Sequence, residues 1–282
     1  MKTTRRAALL GILAIAGTVG SGSLLAVQNV AVARPALTPE QMEDFLLHAK
    51  VIQMKGVNKG ISSTRRATLS DGQVTHDAQI QTVDISKALF EPTNEVNFKD
   101  SYRFNIAGYR VARLLGLGNV PVSVERRVQD SQAAVTWWID DVLMDESERV
   151  KKQKKQPTGQ MSPRMAGQIH RMRVFDELIA NTDRNAGNVL WTTDGEMWLI
   201  DHTRAFRLNT KLKNPRLLER CDRGLLEKMR GLGADTLKDA VGTSLSKDEV
   251  EALIGRRDEI VKLFEGMIAQ RGEAMILYTQ PR

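Results

Sequence analysis

The chain has 282 residues, 41% hydrophobic and 27% charged, with a net charge of +7. That length holds one large or two small domains, and the balance is ordinary for a protein that buries a core. Cys221 is the only cysteine, which excludes an intrachain disulfide, and neither His170 nor His202 has cysteine partners at zinc-ligand spacing. The positive charge suits a protein that handles phosphates or meets an anionic surface, and no nucleic-acid partner is expected from it.

Residues 1–33 read as an export signal. Lys2, Arg5 and Arg6 form a charged start, Ala7–Val27 is uncharged, and Ala31-Val32-Ala33 is a small-x-small cleavage site. Thr4–Leu9 resembles a twin-arginine signal, with Ala8 at the usual Phe position. The expected destination is the periplasm or the exterior. An uncleaved membrane anchor is the alternative, since 21 uncharged residues just span a bilayer. No later segment is long enough to do so.

Thr38-Pro39-Glu40 starts a helix that runs to about Ala49. Strand-like pieces follow, among them Arg65–Leu69, separated by Gly56, Gly60 and Asp71-Gly72. Gly56–Thr64 is either a plain hairpin turn or a phosphate loop, because glycines let backbone N–H groups approach an anion and hydroxyls add donors. Thr75–Val83 alternates as a strand. A helix is expected over about Lys99–Leu115, closed by Gly116. Residues 119–126 and 133–140 read as two strands joined by a turn at Gln129-Asp130-Ser131. Of Trp137 and Trp138, one ring belongs to the core and one to a groove, unless both border a ligand.

Arg149–Gly159, RVKKQKKQPTG, reads as a solvated basic loop, with a patch for an anionic polymer as the alternative. Gln160–Ala180 has apolar residues at helical spacing. It delivers a polar loop, Asn181–Asn188, then the strand Val189-Leu190-Trp191, the turn Asp194-Gly195 and the strand Met197–Ile200, ending at Asp201. Asp183, Asn188 and Asp201 should therefore converge at one mouth of a hairpin. Their hard oxygens suit Mg²⁺ or Mn²⁺, and a carboxylate there can orient an attacking hydroxyl. His202 reads as a hydrogen-bonded structural residue, and Cys221 as a buried apolar one. Helices are expected over roughly 214–231, 235–241 and 246–272, the last begun by a Ser246–Glu249 capping box.

The pattern D-R-x-x-x-N, two short strands, an apolar residue and Asp resembles the catalytic and metal loops of atypical kinases, the branch that holds the phosphoinositide kinases and HipA-like kinases. The run LLGLGNVPVSVER resembles a segment of the same proteins. The resemblance implies an α+β, two-lobed protein-kinase-like fold, with a β-rich N-lobe over 34–140 and a helical C-lobe over 141–282. It implies ATP with Mg²⁺ or Mn²⁺, Asp183 as catalytic residue, and Asn188 and Asp201 as metal ligands. Gly60, Ser62 and Ser63 would cover the phosphates, and Trp138 and Ile139 would lie beside the base. The acceptor would be a hydroxyl on a protein, lipid or glycan.

One departure stands out. Where these kinases have a Lys on a strand and a Glu on the following helix, this chain has Gln81 and Asn105. Losing one partner of a buried ion pair is costly, whereas two amides satisfy each other by a hydrogen bond. The double change is therefore coherent, and it raises a second reading, a pseudokinase that binds or scaffolds. A third is a basic exported protein that binds anionic polymers, with Asp183 and Asp201 structural.

Overall fold

Thr38 opens the first helix, α1 (Pro39–His48), through a reciprocal box: its hydroxyl accepts from the Gln41 amide, and the Gln41 side chain accepts from the Thr38 amide. The computed structural model describes residues 37–56, 64–92, 94–155 and 161–280. The expected export segment and Gly60, Ser62 and Ser63 lie outside the described residues.

Five antiparallel strands follow in the order β1-β2-β3-β7-β6: β1 (Lys50–Gly56), β2 (Arg65–Ser70), β3 (Thr75–Gln81), β6 (Ser123–Val128) and β7 (Ser131–Trp137). The β2–β3 turn is set by Asp71, whose Oδ1 accepts from the amides of Gln73 and Val74 at 2.8 and 2.7 Å. Gly72 supplies the left-handed conformation there, φ +93°. The register aligns Ala67 with Ala78 and Ile80 with Val135. These side chains share one face, which packs under α1 and the helix α2 (Arg103–Leu114).

Helix α2 starts four residues later than the expected Lys99. Residues 99–101 belong instead to β5 (Glu95–Ser101), which pairs with β4 (Asp84–Phe90) in a separate hairpin. Phe98 explains the difference: it is buried in the strand, stacked on Phe90 at 4.2 Å and covered by Arg204 and Arg207.

Residues 138–141 connect the sheet to the helical part. There β8 (Val142–Asp145), β9 (Val189–Thr192) and β10 (Met197–Leu199) form a small antiparallel sheet in the order β10-β9-β8. The basic stretch is not a loop as far as Lys155: Arg149–Lys155 completes helix α3 (Glu146–Lys155). Asp145 Oδ1 accepts from the Glu148 amide at 2.9 Å, acids occupy the first turn and lysines the last, so the helix stands on its cap and its dipole. None of its residues is buried, which agrees with the solvated character expected of it.

Helix α4 (Pro163–Leu178) is capped by Ser162. The helix expected from 214 begins only at Arg223, because Asp222 caps α5 (Arg223–Gly231) through the Leu225 amide at 3.0 Å. Residues 214–222 instead hold a single 3-10 turn and the short strand β11 (Cys221–Asp222). This strand pairs in parallel with β12 (Leu277–Tyr278). Helices α6 (Ala234–Val241), α7 (Lys247–Arg271) and α8 (Glu273–Ile276) complete the chain. The Ser246–Glu249 capping box forms as expected. Cys221 is fully buried and its thiol is pushed up to about 12 by that burial, which removes it as a nucleophile. The architecture is α+β and two-lobed, a smaller β-rich lobe joined to a helical one, in the manner of protein kinases. Among the described residues no helix is long and apolar enough to cross a membrane.

Candidate functional site

Helix α4 stops at Ile179, and Ala180 turns the chain in the left-handed region, φ +46°. Asn181 Oδ1 then accepts from the Asp183 amide at 3.0 Å, a local turn typical of Asn. The Asp183 carbonyl accepts from the Asn185 amide at 2.7 Å and from Asn188 Nδ2 at 3.3 Å. Asn188 thus spends its amide nitrogen on the loop, and its Oδ1 has no donor among the described residues. The Ile200 amide donates to the Asn188 carbonyl at 3.1 Å, which seats the end of β10 beside the loop.

Arg184 holds this assembly together. Its guanidinium pairs with Asp176 on α4, at 3.0 Å from Nε to Oδ2 and 3.0 Å from Nη2 to Oδ1. Nη1 donates to the carbonyls of Asn188 (2.9 Å) and Ile200 (2.7 Å), and Nη2 to His202 Nε2 (2.9 Å). Arginine has only donors, so His202 Nε2 is the acceptor and its ring is neutral. Burial, then the neighbouring Arg184, holds the His202 pKa well below the usual histidine range. His202 is therefore structural, as its sequence context suggests.

Asp201 sits in the left-handed region, φ +55°, and Phe206 does too, φ +57°. With Ala180 this makes three non-glycine residues of strained backbone around one loop, each costing about 1–3 kcal/mol. The Asp201 carboxyl accepts from Thr203 Oγ1 at 3.1 Å. Burial raises its pKa, and the carboxylates of Asp100 and Asp183 push it the same way. Asp100 Oδ1 is enclosed and has no hydrogen-bond partner among the described residues. Asp183 is half-exposed, with Arg204 Nη1 at 4.0 Å. Arg204 in turn donates to Glu95 Oε2 at 3.0 Å, and Arg207 Nε lies 2.7 Å from Glu95 Oε1. The β4–β5 hairpin therefore reaches across to fix the segment after Asp201.

The amide pair forms. Asn105 Nδ2 donates to Gln81 Oε1 at 2.6 Å, and Asn105 Oδ1 accepts from the His202 amide at 2.7 Å. Both side chains are buried. One asparagine on α2 thereby joins strand β3 to the residue after Asp201. Helix α2 can lie this close because residue 108 is glycine: a Cβ there would meet His202 Cγ at 3.2 Å.

The structure thus brings Gln81, Asn105, Asp183, Asn188 and Asp201 into one connected region. Trp138 and Ile139 lie elsewhere, on the link between the lobes. They line a cavity of about 480 Å³ with residues of α1 and the β9–β10 turn, and Gln81, Asn188 and Asp201 do not border it. Trp138 is covered by the Arg66 guanidinium at 4.3 Å. Sequence reasoning assigned no role to Arg184, Asp176, Asp100, Glu95 or Arg204. Arg184 was visible inside D-R-x-x-x-N, but its five acceptors are not.

The donor set fits a magnesium-like cation. Asp201 and Asn188 offer hard oxygens, and a cation would relieve the repulsion among Asp100, Asp183 and Asp201. Among the described residues no group of three or more His, Cys, Asp or Glu could hold a metal. A site built on one carboxylate and one amide would leave the remaining positions to water and phosphate oxygens, which suits Mg²⁺.

No protein-family model matches the chain, and no curated protein matches it in sequence. Solved structures do match. Hydra Fam20, solved with a sugar, aligns with a TM-score of 0.64 at 16% identity, over 86% of this chain and 93% of that one. The Helicobacter pylori proinflammatory kinase CtkA aligns with a TM-score of 0.50 at 10% identity, over 80% of this chain and 98% of that one. At such identities the likeness concerns the fold, and the fold this chain shares with both is kinase-like.

Proposed function

We propose that this chain is an exported atypical kinase, akin to the HipA-like and phosphoinositide-kinase-like proteins. It would bind ATP with Mg²⁺ or Mn²⁺ and transfer phosphate to a hydroxyl on a protein, lipid or glycan. The observation that carries the reading is the loop and hairpin that set Asp183, Asn188 and Asp201 together inside a kinase-like fold. The lobes would meet near residue 140. Asp183 would orient the acceptor hydroxyl and take its proton, held in place by Asn188 and faced by Arg204. Asn188 and Asp201 would hold the metal, which supplies charge neutralisation at the phosphates. Gly60, Ser62 and Ser63 would cover the phosphates, and Gln81 would face them as a neutral hydrogen-bonding group.

A second reading is favoured by one observation, the buried Gln81–Asn105 hydrogen bond where a kinase places an ion pair. It supports a pseudokinase that binds nucleotide or a partner without transfer. A thermal-shift titration of the full chain with ATP, with and without Mg²⁺ or Mn²⁺, tests the first step. Ligand at a hundredfold excess over Kd adds about 2.7 kcal/mol to stability. A metal-dependent rise, lost in Asp201→Ala, is the expected result. No rise with any nucleotide or metal would overturn the nucleotide-binding reading. A rise without turnover of any hydroxyl acceptor would favour the pseudokinase.

A further inference from the structure

A second cavity, of about 500 Å³, opens beside the catalytic loop, with Thr182 and Arg184, the neighbours of Asp183, on its wall. Its other walls come from the end of α4, from residues 209–217 and from Arg256 on α7. The charges around it are unevenly satisfied. Its two acids are already engaged: Asp176 holds Arg184, and Glu177 accepts from the amides of Lys213 and Asn214, both at 2.8 Å. Apart from Arg184, its cations are less well satisfied. Lys211 and Lys213 are exposed, and neither ammonium has an ion pair or a hydrogen bond among the described residues. Arg173 has only a 3.9 Å approach to Glu219 and a 3.5 Å contact with the Leu217 carbonyl.

Arg256 is the strongest sign. It is 1% exposed, the largest fully buried side chain of the protein's described residues. Its Nε donates to the Leu178 carbonyl at 2.8 Å, and Nη1 donates to the carbonyls of Arg207 and Asn209 at 2.7 and 2.6 Å. Nη2 is enclosed and has no hydrogen-bond partner among the described residues. Burial lowers its pKa to about 10, so the group remains charged at neutral pH. The hydrogen bonds of this buried guanidinium all go to carbonyls, and only the nearby Glu177 carboxylate, already shared with two backbone amides, offsets its charge, so a further anion would stabilise it.

We propose that this cavity is an oxyanion site for a phosphomonoester: Lys211 and Lys213 receive the phosphate over the buried charge of Arg256, and Met172, Leu212 and Leu217 receive the carbon part of the ligand. Arginine and lysine together match a doubly charged phosphate, and the three apolar side chains explain a preference for an ester over the bare ion. The site stands on its own residues and does not depend on phosphoryl transfer by Asp183.

The test is isothermal titration of the full chain, without divalent metal, with inorganic phosphate and with phenyl phosphate. The expected result is saturable one-to-one binding, tighter for phenyl phosphate. Charge reversal on the exposed rim, Lys211→Glu with Lys213→Glu, should weaken it about tenfold or more. Arg256→Lys should weaken it too, but Arg256 also anchors three carbonyls, so the exposed double variant carries the test. Equal affinity for the two probes would identify free phosphate as the ligand of the same site. No saturable binding of either probe up to about 10 mM, or unchanged binding in the double variant, would overturn the proposal. Absent phosphate binding with an intact Mg²⁺-ATP shift refutes this pocket alone; the reverse refutes the nucleotide reading alone.

Discussion

Arg184→Met tests the claim that the Asp183 loop is held from beneath by one guanidinium. The side chains of Arg184 and Asp176 are only 10% and 13% exposed. Removing the guanidinium strands a largely buried carboxylate, the carbonyls of Asn188 and Ile200, and Nε2 of His202. Breaking a buried pair by deleting one partner costs about 3–5 kcal/mol. Each orphaned carbonyl adds on the order of 1 kcal/mol, less whatever water recovers. The expected loss is therefore about 4 kcal/mol. Adding Asp176→Asn removes the stranded charge while keeping an acceptor for Asn181, so the double variant should be more stable than Arg184→Met by about 2 kcal/mol. Urea unfolding at constant m-value measures both. A loss below about 1 kcal/mol for Arg184→Met, or strictly additive single changes, would refute the reasoning.

Asn105→Ala leaves the buried amide of His202 and the Gln81 carboxamide without their shared partner, and it should cost about 2–3 kcal/mol in the same assay. Asp201→Asn acts through charge. The raised pKa of Asp201 means that the folded state binds more protons than the unfolded state above the ordinary carboxyl value, so metal-free stability falls as pH rises through the raised value. The Asn variant lacks that penalty: without divalent metal its melting midpoint should exceed the parent's at neutral pH, and the gap should close as pH falls toward 3.8. Saturating Mg²⁺ should raise the parent's midpoint and not the variant's, and a lower midpoint for the variant in chelator would contradict this account. Ala180→Gly removes the Cβ from a residue at φ +46° and should stabilise by about 1 kcal/mol, read by thermal melting.

What could be read in advance was local. The helix start at Thr38, the Ser246 capping box, the Asp71-Gly72 turn and the hairpin between Asn188 and Asp201 are each specified within about four to a dozen neighbouring residues. The amide pair was legible for another reason: a Lys and a Glu missing together leave few ways to satisfy what replaces them. The rest depended on distant partners. Strand β4 is exposed along nearly its whole length and gives no buried alternation, so nothing in its own residues marks it as a strand. Helix α3 has no apolar stripe, and its lysines read as a loop because a cap and a dipole are weaker signals than periodicity. Arg256 looked like any surface arginine of a long helix until residues 178, 207 and 209 were seen around it.

The β4–β5 hairpin has a kinetic side. Arg204 meets Glu95 across 109 residues of sequence, Arg207 meets the Lys99 carbonyl across 108, and Lys99 meets Glu249 across 150. Such contacts carry the entropy of closing long loops and are rewarded only when both ends are already in place. The strands that Asn188 and Asp201 flank can pair early, within a hairpin a few residues long, whereas the clamp that sets Arg204 beside Asp183 must wait for the whole chain. Refolding should therefore restore the hairpin's protection from hydrogen exchange before it restores that of β4 and β5, leaving a late interval in which the acidic loop is assembled but not yet faced by its arginine.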